Sequence, residues 1–380
     1  MTQAALALDT QPFEPTSATD LCERVRSIAK TKLVPVAEAI DSGELYPAEI
    51  MRAFGAQGAF ASHMPQDGVA DLRPAIASMS VLSEYCGATA FMAWCQDTLA
   101  WYVGNCGNAA LKARLLTPVS SASLLGGTGL SNPMKTFFGI EKIKLKDRKV
   151  DGGYVVRGAL PWVSNLGPDH MFGTIFELED SQNKIGVGER VMFIADCADP
   201  AVTLQPCPPF LAMDGTGTYA VHIRDLFVPD SLVLADNAMP FVKKIRAGFI
   251  LLQTGMGLGL IRDCIGIMTS LRGPLGHVNC FLDQQPEDFE EMLADCEREV
   301  MALAATPYDT STAYWERVIK IRIRMGEASI ASAHAAMLHC GARGYLKSHR
   351  AQRRLREAYF VAIVTPATKQ LKKMLADGAQ

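Results

Sequence analysis

The 380-residue sequence lacks the short motifs that mark several common classes of functional site. It has no C-x-x-C pair, no cysteine and histidine spacing typical of zinc, no P-loop and no G-x-G-x-x-G turn. An H-E-x-x-H helix and a G-x-S-x-G turn are also absent. These absences argue against a zinc site, a P-loop nucleotide hydrolase, a Rossmann dehydrogenase and an α/β-hydrolase.

The sequence also lacks an excess of either charge. It has 37 basic and 40 acidic residues, which gives a formal net charge of −3. General nucleic-acid binding needs a net basic surface, so we expect no nucleic-acid partner. With 49% hydrophobic and 20% charged residues the chain can bury a core, and its length predicts two or three packed units.

Long hydrophobic runs are missing too. This matters because a helix that spans a membrane needs about 20 consecutive apolar residues. The uncharged stretch 247–261 is 15 residues long and contains four glycines, so we interpret it as a buried helix and expect no membrane span. The first twenty residues have no basic start and no long apolar core, so we expect no signal peptide. The ten cysteines are scattered, which indicates small buried hydrophobes in a reducing, cytoplasmic setting.

The hydrophobic period changes twice along the chain. Residues 19–118 have the spacing of amphipathic and buried helices, and residues 119–232 have short alternating runs broken by Gly, Asp and Pro. Asp151, Gly152 and Gly153 between two such runs indicate a hairpin. The helical pattern returns over 233–380. We therefore predict three domains with these bounds, the middle one all-β.

Two charged segments stand out in the C-terminal part. Residues 286–299 hold seven acids and one arginine, and residues 343–356 hold six Lys or Arg and no acid. One interpretation is that the two segments are solvated helix faces that pair with each other or with a neighbouring subunit. The alternative is that the basic segment faces phosphate groups, and the sequence leaves both interpretations open.

One stretch in the N-terminal part of the sequence and one in the middle part resemble those of a known family. GELYPAEIMRAFGAQGAFASHMPQDGV at 43–69 and DGGYVVRGALPWVSNLGPDHMF at 151–172 resemble the acyl-CoA dehydrogenase family. The first is similar to the family's opening helix, although Gln66 stands in place of the family's Glu. The second matches its W-x-[ST]-N strand with Trp162 and Ser164.

Two later stretches extend the likeness in the same order, from about residue 19 to residue 375. Residues 210–234 are similar to the family's [ST]-x-T segment, with Thr216 and Thr218 in place, and residues 320–371 to its Gly-rich C-terminal helix pair. The resemblance implies an α+β multidomain fold: an N-terminal helical domain, a middle β-barrel-like domain and a C-terminal four-helix bundle around FAD. It also implies a homodimer or homotetramer.

The resemblance also implies the cofactor contacts. Trp162 would form an apolar wall for the flavin ring and Ser164 a hydrogen-bond donor, since both set flavin electronics. The loop GGTGLS at 126–131 stands where the family has its flavin loop. Arg272 and Gly341 stand where the family contacts the cofactor pyrophosphate, Arg272 that of a partner subunit. The expected cofactor-binding residues are Thr128, Ser131, Trp162, Ser164, Arg272 and Gly341.

The family's catalytic base is not matched. Dehydrogenation of an acyl thioester needs a carboxylate close to the α-proton. Counted from Arg356, the family's Glu position is occupied by Thr365, whose hydroxyl cannot serve as that base, and its alternative position falls near Phe249. Asp97, in the segment CQDTL, is a weak candidate replacement, and the sequence leaves the catalytic residue unknown.

Three functions follow from this mismatch. The first is FAD-dependent α,β-desaturation of an acyl thioester, with acyl-CoA as the expected substrate and an electron-transfer flavoprotein as a candidate partner. The second is a flavin-dependent monooxygenase of the same fold, with a flavin reductase as partner and FMN as a possible cofactor. The third is a non-catalytic member. The seven histidines share no metal spacing, so we expect no metal site.

Overall fold

The computed structural model describes residues 18–179 and 189–378. Its N-terminal part is helical because apolar residues recur at helical spacing between Pro- and Gly-containing breaks. A π-helical turn and a 3-10 turn connect the first two helices. The helices of this part are α1 Ala18–Ile28, α2 Ala37–Asp41, α3 Ala48–Gly55, α4 Arg73–Tyr85, α5 Gly87–Asn105 and α6 Ala109–Ser120.

The middle part is a sheet in the order β6-β7-β3-β2-β4-β5-β8, with β1 added parallel to β4. Gly152 has a positive φ of 74° in the predicted hairpin between β2 and β3, a conformation that glycine adopts without strain. The elements are β1 Gly126–Thr128, α7 Ser131–Phe137, β2 Leu145–Val150, β3 Gly153–Val163, β4 Met171–Leu178, β5 Arg190–Asp196, β6 Val202–Pro206, β7 Tyr219–Pro229 and β8 Val233–Ala235.

The C-terminal part is helical again. Its longest helix is α12, which is 29 residues long and packs on its neighbours over most of its length. The helices are α8 Ala238–Leu252, α9 Thr254–Ser270, α10 Arg272–Asn279, α11 Pro286–Ala304, α12 Thr312–Cys340, α13 Arg350–Ile363 and α14 Thr368–Ala376. The order of helices, strands and helices confirms the predicted fold class, while the three domain bounds stay a prediction.

The two sides of the sheet are buried to different extents. The inner side packs its own core, which includes Leu160, Phe176 and Val221. On the outer side, β4 contacts helix α5, since Gly173 lies directly against the ring of Tyr102. Strand β3 has an exposed outer side instead, with Arg157 and Trp162 open to solvent. The part of the barrel surface formed by β2, β3 and β7 is therefore accessible.

Helix α5 is the centre of the molecule, because every one of its 19 residues is buried. It begins after a break at Cys86, whose backbone is extended and whose thiol accepts a hydrogen bond from Thr89. Its polar side chains find internal partners: Gln96 donates to two backbone carbonyls and accepts from Gly126. Buried polar groups need such partners, and here they attach α5 to the flanking chain.

Two details differ from the sequence expectations. The predicted all-β segment contains the short helix α7, which Pro133 favours because proline is tolerated in a first turn. The predicted buried helix at 247–261 is interrupted at Gln253, between α8 and α9. Its glycines allow close packing as expected, since a Cβ on Gly259 would lie 2.0 Å from the Ser80 carbonyl oxygen.

The segment Ala238–Ser270 is long and apolar enough to cross a membrane by composition alone. Within it, 83% of an 18-residue apolar window is buried inside the protein. A core helix of a globular protein has the same composition. The burial agrees with the prediction of an internal helix.

The acidic and basic segments do not pair with each other among the described residues. Helix α11 pairs its acids with arginines of α9, α10 and α12. In the basic segment, Arg350 and Arg354 pair with Asp263, and Arg356 pairs with Asp41. Arg353 pairs with Glu357 of the same helix. Four of the six cations of the basic segment therefore form ion pairs within the chain. Of that described segment, the exposed Arg343 and Lys347 are left to face a ligand.

Candidate functional site

The loop that follows α6 is held against the sheet by two glycines. A Cβ on Gly126 would lie 2.0 Å from the Met171 carbonyl oxygen, and one on Gly127 would lie 2.1 Å from the Ser164 carbonyl oxygen. Backbone atoms cannot move aside for a side chain at such distances. The glycine pair thus brings the expected cofactor loop, with Thr128 next in sequence, directly against the strand end that carries Ser164.

The hydroxyl of Thr128 lies in the protein interior. It is 2.8 Å from the Tyr102 hydroxyl and accepts a hydrogen bond from the Leu130 N–H. Burial raises the pKa of Tyr102 far above its usual range, so this phenol stays protonated. The Thr128 side chain therefore anchors the loop to α5.

Trp162 and Ser164 lie at the end of β3. The indole of Trp162 is 54% exposed, which is unusual for so large an apolar side chain. The Ser164 hydroxyl is 2.7 Å from the Thr218 hydroxyl, which in turn is 2.8 Å from that of Thr216. The [ST]-x-T motif pointed to Thr218, although the sequence alone did not place it among the cofactor contacts.

Asn165 connects this strand end to the rest of the site. Its φ is 62°, a left-handed conformation that asparagine tolerates better than most residues. Its amide donates to the Gly126 carbonyl at 2.6 Å and to Gln96, and it accepts from the Tyr46 hydroxyl at 2.7 Å. The sequence analysis missed this residue, and its position at the end of the W-x-[ST]-N motif was the available signal.

Thr365 is brought to the same place from the far end of the chain. Its hydroxyl is 2.9 Å from the Ser131 hydroxyl, and its carbonyl accepts a 2.8 Å hydrogen bond from Gln253. The contact joins the Thr365 turn to the loop 126–131, which carries Thr128 and Ser131. The same loop lies against Ser164. No carboxylate among the described residues forms a hydrogen bond with this turn.

A buried arginine supports the Thr365 turn. Arg322 of α12 is fully buried and donates from Nε to Gln253 at 2.7 Å and from Nη2 to the Val361 carbonyl at 2.5 Å. Its Nη1 has no partner among the described residues. Burial lowers its pKa to about 10, which leaves it charged at neutral pH. Val361 lies near the C-terminus of α13, where the helix dipole is negative and stabilises a cation.

Asp97 does not lie at this turn. Its Oδ1 is 3.5 Å from Nδ1 of His63, and neither atom forms a hydrogen bond. Asp97 and Leu99 project from opposite sides of α5 because they are two residues apart on a helix, and Leu99 contacts Gly126. Asp97 therefore faces away from the cofactor loop, a position that argues against a role as the base, and the identity of the base stays a prediction.

The Asp97 and His63 pair is neutral. Nε2 of His63 donates to the Asp97 backbone carbonyl at 2.9 Å, so Nδ1 is the unprotonated nitrogen of a neutral ring. Burial lowers the pKa of His63 to about 4 and raises the pKa of Asp97 well above its usual range. A protonated carboxyl facing an imidazole acceptor is the arrangement that avoids a buried charge.

Gly341 follows α12 at one end of the C-terminal bundle, beside the last residue of α10, and Arg272 lies at the other end of α10. Asn279 at the end of α10 donates to the His339 carbonyl near the end of α12, which places the two helix ends side by side. Arg272 begins α10, is half exposed and pairs with Glu287. No hydrogen bond or ion pair between described residues connects Arg272 or Gly341 to the Thr365 region.

The remaining sequence expectations have simple outcomes. All ten cysteines are free, seven of them are buried, and Cys280 is exposed. Within residues 18–179 and 189–378 no group of three or more metal-ligating side chains occurs. Nε2 of His339 donates to the Gln284 carbonyl at 2.9 Å, and so His339 contributes to the bundle end.

The chain is similar to known proteins in both sequence and fold. Residues 16–123 match the sequence profile described as acyl-CoA dehydrogenase, N-terminal domain. The human mitochondrial short-chain specific acyl-CoA dehydrogenase is 24% identical over 375 residues, which cover 94% of this chain and 88% of that protein. Benzylmalonyl-CoA dehydrogenase of Aromatoleum aromaticum is 25% identical, over 65% of this chain and 67% of its own.

A solved structure shares the fold. Butyryl-CoA dehydrogenase from Megasphaera elsdenii superposes with a TM-score of 0.77 at 16% identity, covering 97% of this chain and 100% of its own. The profile match, the relatives aligned over nearly the whole chain and the shared three-part fold agree with one another. These findings support membership of the acyl-CoA dehydrogenase family.

Proposed function

We propose that this protein is an FAD-dependent oxidoreductase that desaturates the acyl group of a coenzyme A thioester between its α and β carbons. The observation that carries the proposal is the Ser131–Thr365 contact at 2.9 Å. It joins the loop expected to hold the flavin to the turn where the family places its base. The names of the relatives, all acting on acyl-CoA substrates, support the same substrate class.

The residues at the end of β3 suit a flat aromatic cofactor. An indole that is 54% exposed offers an apolar wall, and the adjacent hydroxyls of Ser164 and Thr218 offer a donor to a ring nitrogen or oxygen. FAD, when bound, accepts the hydride from the substrate. Trp162 would orient its ring, Ser164 would hold one edge, and the backbone of the 126–131 loop would approach from the other side.

The Thr365 turn offers no carboxylate that could remove the α-proton of a thioester. Thr365 and Ser131 supply hydroxyls only, and their pairing leaves each oxygen able to hold or relay a proton but not to abstract one from carbon. A general base contributes roughly 10²–10⁴-fold to such a step. We therefore propose slow desaturation that is fastest with substrates whose α-proton is acidified by a second electron-withdrawing group.

The test uses purified protein reconstituted with FAD and kept free of oxygen. We expect saturated acyl-CoA thioesters with a second activating group to bleach the flavin absorbance, and simple straight-chain thioesters to do so more slowly. A protein that binds FAD but is bleached by no thioester of either kind contradicts the proposal. Dithionite reduction of the same sample is the control that the flavin is redox-active.

One observation favours a second function, a flavin-dependent monooxygenase using reduced FAD or FMN. The described residues place no carboxylate on the Thr365 turn, and hydroxylation needs no α-proton base. The discriminating measurement is oxygen consumption with an added flavin reductase. Substrate-dependent oxygen uptake with stoichiometric hydroxylated product, and no anaerobic bleaching, would replace desaturation by this function.

The assembly and its surroundings are also proposed. We infer a homodimer or homotetramer, because Arg272 and Gly341 do not reach the Thr365 region of their own chain in any described contact and would serve the cofactor of a second copy. An electron-transfer flavoprotein would reoxidise the flavin of a desaturase, and a cytoplasmic location agrees with ten free cysteines. Sedimentation of the FAD-loaded protein measures the oligomeric state.

A further inference from the structure

Arg322 differs from the other buried arginines of the protein in having no anionic partner. Among the described residues three arginines are buried, namely Arg322, Arg353 and Arg354. Both Arg353 and Arg354 pair with the carboxylate of Glu357, and Arg354 also pairs with Asp263. Arg322 forms no ion pair with any described residue, although buried charges in proteins are normally paired. Its charge is therefore left without a counter-ion in the described part of the chain.

The groups around the Arg322 guanidinium are neutral and offset its charge only in part. Its Nε donates to the amide oxygen of Gln253 at 2.7 Å, and its Nη2 donates to the backbone carbonyl of Val361 at 2.5 Å. The last carbonyls of α13 together carry only about half of an elementary negative charge. A positive potential remains at this point, and salt screens it little because the side chain is fully buried.

Two further contacts connect this charge to the candidate site. The Gln253 amide, which accepts from Arg322, donates to the Thr365 carbonyl at 2.8 Å. The Thr365 hydroxyl is 2.9 Å from that of Ser131, at the end of the loop expected to hold the flavin. The orientation of the Gln253 amide is fixed, because a guanidinium can only donate and a carbonyl can only accept. A single side chain therefore separates the Arg322 charge from the turn.

We propose that Arg322, acting from behind Gln253, is a positioning residue whose charge stabilises negative charge at the Thr365 turn and so raises the reduction potential of a flavin bound there. The flavin part of this inference rests on the proposed function. Reduction of a flavin by two electrons with uptake of one proton leaves one negative charge on its ring. A fixed cation nearby favours that charged form, and less so the neutral oxidised ring.

The first measurement needs no cofactor. Thr365→His places an imidazole at the turn, and NMR titration of the FAD-free, full-length protein gives its pKa. We expect this imidazole to bind its proton at least tenfold more weakly than the one in Thr365→His/Arg322→Met, because a neighbouring cation disfavours the protonated ring. The difference should persist at high salt, since burial limits screening. Equal pKa values in the two variants overturn the proposal.

The second measurement is the midpoint potential of FAD in the reconstituted protein, titrated without oxygen against a redox dye and without any thioester. At a fixed potential, Arg322→Met should lower the ratio of reduced to oxidised flavin at least tenfold, which is about 30 mV for a two-electron couple. Gln253→Glu should lower it in the same direction, because the new carboxylate would neutralise Arg322. Arg322→Lys keeps a positive charge and should keep the potential within threefold of the wild-type ratio.

Gln253→Met is the control that separates the charge from the hydrogen-bonded bridge. It removes both hydrogen bonds of the amide and leaves the Arg322 charge in place, so we expect a smaller shift than in Gln253→Glu. Circular dichroism and thermal unfolding confirm that each variant folds. Gln253→Glu neutralises the charge without deleting the arginine, and it therefore tests the proposal even where Arg322→Met does not fold. Equal potentials in Gln253→Glu and Gln253→Met overturn the proposal.

The proposed reaction and the role of Arg322 fail separately. A protein whose flavin is bleached by no thioester, but whose potential is lower in Gln253→Glu than in Gln253→Met, keeps the role of Arg322 and loses the reaction. A protein that thioesters do bleach, with equal potentials in those two variants, keeps the reaction and loses that role. Where no FAD binds, the imidazole titration alone decides whether the charge of Arg322 reaches the turn.

Discussion

At the scale of single residues, two buried polar side chains differ in how their charge is handled. Asp97 avoids charge, because burial raises its pKa and His63 presents a neutral acceptor to it. Arg322 keeps its charge with only carbonyl and amide oxygens as partners. A group that can lose its charge does so when buried, whereas a guanidinium cannot.

Asp97→Asn should stabilise the protein at neutral pH. The folded protein holds the Asp97 proton to higher pH than the unfolded chain, so wild-type stability falls as pH rises from about 4, by up to about 1.4 kcal/mol per pH unit. An asparagine amide donates to His63 Nδ1 without this loss. Urea unfolding of both proteins should show a difference that grows between about pH 5 and pH 7.

The titration of His63 changes the stability of wild type and Asp97→Asn in the same direction. Its pKa is lowered to about 4, so the unfolded chain takes up its proton first and stability falls as pH drops below about 6.5 in both proteins. Asp151→Asn, at an exposed turn position, is the control for a general charge effect. A constant difference between wild type and Asp97→Asn across the pH range would contradict a raised pKa at Asp97.

Arg322→Met should cost less stability than Arg354→Met, although both arginines are fully buried. Removing Arg354 leaves the carboxylates of Asp263 and Glu357 without their shared partner, a loss of about 3–5 kcal/mol. Removing Arg322 leaves neutral carbonyl and amide oxygens without a donor, which lowers the free energy of unfolding by about 1–3 kcal/mol. Urea unfolding at pH 7 measures both, and equal losses would show that Arg322 has an undetected anionic partner.

At the scale of elements, the site is the meeting point of one loop, one strand end and one turn. The glycine pair before Thr128 sets the approach of the loop to β3, and Arg322 with Gln253 sets the position of the turn after α13. None of these elements carries a base. What the arrangement contributes is a rigid frame, in which the side chain at position 365 faces the loop.

Thr365→Glu should therefore create a faster desaturase. The new carboxylate would replace a hydroxyl that already faces the loop, near the Arg322 cation, which favours its charged form. We expect the anaerobic rate of flavin bleaching by acyl-CoA to rise at least tenfold, a modest part of what a general base contributes. Thr365→Gln is the matched control, with the same shape and no basicity, and equal rates for the two variants would refute this assignment of the position.

At the scale of the whole molecule, charged groups connect the parts of the fold. Arg356 of α13 pairs with Asp41 at the end of α2, and the buried Glu357 accepts from the Gly87 N–H that begins α5. Arg353 also reaches the Tyr85 carbonyl. The basic segment that the sequence offered as a phosphate surface thus fixes the C-terminal bundle to the N-terminal helices.

Arg272→Ala should weaken FAD binding without lowering stability. Arg272 is half exposed and its only ion pair, among described residues, is with the exposed Glu287, and such surface pairs contribute little to stability. If it contacts the cofactor of a second copy, fluorescence titration should show at least fivefold weaker FAD binding. Arg298→Ala removes a similarly exposed arginine on α11 as control. Unchanged FAD affinity in Arg272→Ala would remove this residue from the cofactor site.

The sequence by itself determined the fold class and one side of the site. Hydrophobic period is a local property, so the change from helical to strand spacing and back was readable without the structure. Trp162 and Ser164 sit two residues apart in a strand motif, and their placement needs no long-range contact. The absence of a carboxylate at Thr365 was equally plain from the sequence.

Only the tertiary structure decided which residues meet. Ser131 and Thr365 are 234 positions apart, and Arg322 reaches the turn through Gln253, a residue with no motif around it. The residues around Asp97 in the sequence made it a candidate base. In the structure it lies on the side of α5 that faces His63. The basic segment pairs with carboxylates of two other helices, α2 and α9, and with Glu357 of its own helix. Contacts of this kind depend on how helices pack, which local spacing does not contain.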